Sequence, residues 1–137
     1  MIIAALILVV SSVAMLQFFI SYCRSVIAAA TVRPLSDQIW EVTGIQDREL
    51  RGEEFIRLLQ LMSLCPDSGA DSQAIAAVRT YFRILNFARA TLSGIIPSIV
   101  SWTDAELSGC ARFAAVALDN RISRSRQLMA QHYSIQP

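Results

Sequence analysis

The first pattern along the chain is an unbroken apolar run. Residues 2–22 carry no charged side chain, and Ser11, Ser12 and Gln17 are among its few polar members. A helix of about 21 residues rises about 30 Å, which matches the hydrocarbon thickness of a bilayer. Lipid offers no partner to a backbone amide, so a run of this kind must be helical there. The run therefore predicts a single-pass transmembrane helix, with Ile2, Leu6, Val10, Leu16, Phe19 and Tyr22 among its membrane-spanning residues. Ala28, Ala29 and Ala30 resemble a signal-peptide cleavage site. Against cleavage, no Lys or Arg precedes the run, the run outlasts a secretory apolar region, and Arg24 interrupts the approach. An uncleaved anchor is expected, over residues 1–33, with a helical extramembrane domain over 34–137.

Beyond the run the pattern turns periodic. Pro34 breaks the long helix. Ser36 can cap a short helix to about residue 42, and Asp47 can cap a second that reaches Cys65 and is stopped by Pro66. In that second helix Phe55, Leu58, Leu59, Met62 and Cys65 recur every three or four positions. Residues 66–72 read as a loop. A third helix is expected from about Ser72 to Ser93, with Ile75, Val78, Phe82, Leu85 and Leu92 on its apolar face and Arg79, Arg83, Asn86 and Ala90 opposite. Thr103 and Glu106 have the spacing of a capping box, which predicts a fourth helix starting there and running to about Gln131. Its apolar stripe is Leu107, Cys110, Phe113, Ala114, Ala117 and Leu118. No segment alternates as a strand does. The expected fold is all-α: one N-terminal transmembrane helix followed by a small three- to four-helix domain.

The connection over residues 94–102 is more apolar than a solvated loop should be. It can pack over the core, dip into the membrane surface with Trp102 at the interface, or dock a partner. Ile95, Ile96 and Trp102 are thus candidate interface residues, together with Arg24, which can snorkel, and Trp40.

Charge adds an orientation. Arg24 and Arg33 follow the apolar run and no basic side chain precedes it, so the positive-inside rule places the domain in the cytoplasm, on a plasma (inner) membrane. The twelve basic residues are all Arg, a composition that suggests a bacterial source and excludes lysine-based Schiff chemistry and a P-loop. The net charge of +1 gives no global attraction for nucleic acid. Within the domain charge is segregated: residues 34–71 are net acidic and residues 72–137 net basic. Arg121, Arg124 and Arg126 form a possible docking patch for an acidic partner or anionic lipid.

Candidate chemistry is sparse. Cys23, Cys65 and Cys110 show no CxxC spacing and read as reduced thiols, with a Cys65–Cys110 disulfide as the periplasmic alternative. Cys23 is placed for acylation but reads better as an unmodified small residue. His132 is the single histidine, too little for a His-rich zinc site or a Cys–His pair. Asp67 and Asp71 flank Gly69 without a full calcium-loop pattern. Glu49, Glu53 and Glu54 read as a solvated face, with Glu53 and Arg57 an i,i+4 pair. No catalytic residue, metal site or cofactor is expected. The function expected is that of a non-catalytic accessory or adaptor subunit that docks a larger membrane-associated complex. The alternative is a membrane-tethered sensor or regulator with a small ligand in its helical core. Ala4, Ser11, Ser12 and Ala14 also allow helix–helix self-association in lipid, hence a homo-oligomer.

Overall fold

The computed structural model of the chain describes residues 1–32, 35, 52–65, 69 and 71–135. Among these residues there are four helices and no strand: α1 (Ile2–Thr31), α2 (Glu54–Ser63), α3 (Ser72–Leu92) and α4 (Ser98–Ile135). The expected helix near residues 36–42, the Asp47 cap and Trp40 lie outside the described residues.

Helix α1 is continuous over 30 residues, about 45 Å of rise. Its residues from Ile2 to Phe18 are exposed, with Leu8 at 67% and Phe18 at 74%. The Ser12 hydroxyl donates to the Leu8 carbonyl at 2.8 Å, so its polarity is met within the helix. From Phe19 onward one side turns inward. Phe19, Ile20 and Val26 are half-buried and Cys23, Ile27 and Ala30 are buried. These positions recur at helical spacing and form one stripe. The packed body therefore includes the end of α1.

Helix α4 is the axle of that body. It packs against α1, α2 and α3, and α1 also packs against α3. Leu107, Cys110, Ala111 and every residue from Ala114 to Leu118 are buried, so several sides of α4 are covered at once. Small side chains let three neighbours approach one helix. Gly109 shows how closely: a Cβ there would stand 3.1 Å from Ile27 Cγ2 of α1. Helix α2 meets α3 through Phe55 stacked on Phe82, with ring centroids 4.4 Å apart. Gly69, at φ 69°, supplies the left-handed residue that turns the chain into α3.

Helix α4 begins at Ser98, one residue after Pro97, and not at the Thr103 capping box. The Thr103 hydroxyl bonds backward, to the carbonyls of Ile99 at 2.8 Å and Val100 at 3.0 Å, and the residue is fully buried. The apolar residues from Ile99 to Trp102 are therefore helical, and the turn joining α3 to α4 shrinks to residues 93–97. Arg57 pairs with Glu54 at 3.5 Å and not with Glu53.

A Cβ added at Gly52 would lie 2.8 Å from Leu107 Cβ, whereas one at Gly94 meets nothing within 4 Å. Gly52→Ala should lower stability by about 1–3 kcal/mol through overpacking. Gly94→Ala should stay within about 0.5 kcal/mol of the parent. Thermal unfolding followed by circular dichroism in mild detergent measures both, and equal melting temperatures for the two variants would contradict the packing described.

Candidate functional site at the junction of α1 with the body

Tyr81 sits on the apolar face of α3, between Val78 and Leu85, and is fully buried. A phenol placed there needs a partner for its hydroxyl. Its O–H donates to Glu106 Oε2 at 3.1 Å. The other oxygen, Glu106 Oε1, receives Arg24 Nε at 3.0 Å. One carboxylate of α4 thus ties α3 and α1 together. The Arg24 side chain is 58% exposed and that of Glu106 only 14%. Solvent screening leaves the Arg24 pair worth about 0–1 kcal/mol. A hydrogen bond from a buried phenol to a carboxylate contributes more, about 1.5–3 kcal/mol, so the Tyr81 bond is the stronger half of the clasp.

Two thiols border this clasp. Cys110 lies one turn after Glu106 on α4 and is fully buried. Burial, followed by the nearby Glu106 charge, pushes its thiol up to about 12. Cys23 is buried beside Arg24, with Sγ 3.8 Å from the Ala77 carbonyl of α3. Burial, and then Glu106, also raises the Tyr81 phenol well above its ordinary value. At neutral pH the Cys110 thiol and the phenol are therefore both protonated. They act as hydrogen-bond donors and packing groups and offer no anionic nucleophile. All three cysteines are free, Cys65 being half-buried.

Neither a family model, nor a curated protein, nor a solved structure matches this chain.

Ile2, Leu6, Val10, Leu16 and Tyr22 are exposed on α1, while Phe19 is half-buried against the body. Arg24 is held in the clasp. Ile95 is 74% exposed and Ile96 47%, so the α3–α4 turn does not pack over the core as one reading expected; Trp102, at 40%, is also exposed. The arginine patch is divided. Arg121 is buried, and its Nη1 donates to the Met62 carbonyl at 3.2 Å. A cation at the negative end of α2 is well placed to cap it, and this inward role removes Arg121 from the expected docking surface. Arg124 and Arg126 remain exposed. Cys23 offers no access for acylation, being fully buried. Among the described residues no three or more His, Cys, Asp or Glu side chains gather as a metal site would require.

Sequence patterning does not reveal the clasp: spacing gives Glu106 a local capping role and Arg24 a snorkelling one, and it gives Tyr81 none. The available signal was Tyr81 itself, a hydroxyl at i+3 from Val78 and i−4 from Leu85 on a core face.

Glu106→Ala leaves the Tyr81 hydroxyl buried without its acceptor and should cost about 1–3 kcal/mol. Arg24→Ala should cost about 0–1 kcal/mol, so the ranking of the two melting temperatures is the check. Alkaline titration tests the thiol. Because folding raises the Cys110 value from 9.0 to about 12, its contribution is complete below pH 9 and is lost as pH rises toward 12. Stability should fall across that window, with a slope of up to about 1.4 kcal/mol per pH unit for each such group. Cys110→Ala should flatten the slope, and an unchanged slope would show that the thiol is not the group titrating.

Proposed function

We propose that this chain is a single-pass membrane protein that serves as a non-catalytic accessory or adaptor subunit of a larger membrane-associated complex. The observation that carries the reading is the division of α1. Its N-terminal part is long and apolar enough to cross a membrane, and none of that stretch is buried by the rest of the chain. Its C-terminal part is packed into the body and clasped there by Glu106. Anchor and body thus share one continuous helix with no intervening linker, which suits a subunit that must present a surface at a fixed height above lipid. Arg24 and Arg33 after the span favour a cytoplasmic body. The protonated state of Cys110 and Tyr81 supports a packing role for the junction over a catalytic one.

A second reading, a membrane-tethered sensor, is favoured by a cleft of about 560 Å³ between α2, α3 and α4. Ile56, Phe82 and Leu107 line it, and the Arg89–Asp104 ion pair at 2.8 Å stands at its edge. Its size lies within the ordinary range for small-molecule sites, about 300–1,000 Å³.

Isolation of the native protein from membranes in mild detergent separates the two. The adaptor reading expects the chain to resist alkaline carbonate extraction and to co-migrate with a larger partner in stoichiometric amount. A lone monomer whose melting temperature rises with a small metabolite would overturn it in favour of the sensor. Release into buffer by carbonate would overturn both.

A further inference from the structure

The contacts of α1 set a common level across the body. Arg24 meets Glu106, and Ile27 lies against Gly109, so α1 and α4 run side by side in the same direction with one register. Helix α3 returns to α4 through a five-residue turn and therefore runs the opposite way. The turn between α3 and α4 consequently points along α1 toward its bare apolar end.

At that level the charges stop on all three helices. On α1 the first charged residue is Arg24. On α3 the last is Arg89, and on α4 the first is Asp104. Arg89 and Asp104 neutralise one another at 2.8 Å. Residues 90–103, which include the whole turn, carry no charge. Helix α2 starts on the body side of this level, where Gly52 lies against Leu107. Past the charged level the hairpin end is apolar and uncovered: Ile95 is 74% exposed, Ile96 47% and Trp102 40%.

Its polar groups are largely met from within. The amides of Ser93, Ile95 and Ile96 donate to the carbonyls of Arg89, Leu92 and Leu92 at 3.1, 3.0 and 2.9 Å. Pro97 has no amide hydrogen. The hydroxyls of Thr91, Ser101 and Thr103 donate to carbonyls one turn back, at 2.9, 3.0 and 2.8 Å. Internal pairing of this kind is what a turn entering lipid requires, although it is also common elsewhere in the chain, as at Ser63 and Thr80. What points the hairpin toward lipid is its uncharged stretch at the level where the bare end of α1 begins.

We propose that the α3–α4 hairpin end is a second membrane-contacting element, embedded at the headgroup–acyl boundary beside α1, with Trp102 in the interfacial layer. The proposal rests on the reading of α1 as a span. Six residues separate Asp104 from the start of α4, so the hairpin end reaches about 9 Å past the charged level. That is the depth at which amphipathic elements lie in a membrane surface, about 5–10 Å. Two points of contact would fix the tilt and rotation of the body, which one helix alone leaves free.

The test uses the full chain reconstituted in phosphatidylcholine–phosphatidylglycerol vesicles, with Trp40→Phe so that Trp102 is the remaining indole. Acyl-brominated phosphatidylcholine should quench Trp102, and aqueous iodide should leave it nearly untouched. A polarity-sensitive dye on Ile95→Cys, in a Cys65→Ser background, gives the same reading without altering Trp40. Alkaline carbonate extraction of the same vesicles reports the span separately. Iodide quenching of Trp102 in a carbonate-resistant protein overturns the hairpin proposal and leaves the anchor standing. Protection from both quenchers also overturns it, because a second copy or a protein partner would then cover the hairpin. Release by carbonate overturns the anchor reading and this proposal with it.

Discussion

The register between α1 and α4 governs the arrangement of everything else. It is held by two contacts of different kinds. Gly109 lets the Ile27 side chain approach the α4 backbone, and Glu106 takes Arg24 on one oxygen while its other oxygen holds Tyr81. The first is steric and insensitive to salt or pH near neutrality. The second is directional and places α3 at the same height as α1. Sliding α1 by a turn would replace Ile27 at Gly109 with the smaller Cys23 or Ala30, leaving a gap there, and would separate Arg24 from its carboxylate. Close packing against Gly109 and a buried hydrogen bond therefore specify the same register.

That register also explains why a small body can hold a long helix rigidly. The exposed part of α1 gains nothing from the other helices, and its order derives from its own backbone hydrogen bonds and from whatever solvent surrounds it. The buried part is anchored through Cys23, Ile27 and Ala30. A continuous helix between the two transmits orientation directly. A flexible linker at the same place would hold the body near a membrane without fixing how it faces.

Much of this was legible in the sequence where patterns are local. The apolar run of α1, the stripe of α2 and the extent of α3, from Ser72 to within one residue of the expected end, follow from periodicity and turn residues. Helix α4 starts earlier than the capping-box spacing of Thr103 and Glu106 suggests, and Pro97, a favoured neighbour of a helix start, carries the correct signal. A helix already running through Thr103 has no free amides there to cap. The burial of Ala111, Ala115 and Val116 could not be seen either, since a search for one apolar face assumes one neighbour and α4 has three. The clasp was hidden for a different reason. Its members lie 25 or more positions apart, and Arg24 and Glu106 each had an adequate local explanation.

The alanines of α4 carry a consequence of their own. Ala111, Ala114, Ala115 and Ala117 fill the middle of the body with side chains that have no rotamers to surrender. Ordering them is nearly free of entropic penalty, but it leaves no slack. A methylene added at one of these positions has no flexible group of its own to bend aside, and the strain passes to whichever neighbouring helix lies over it. Sequence drift in this molecule should therefore collect on its outer surfaces, and least of all along the central rod.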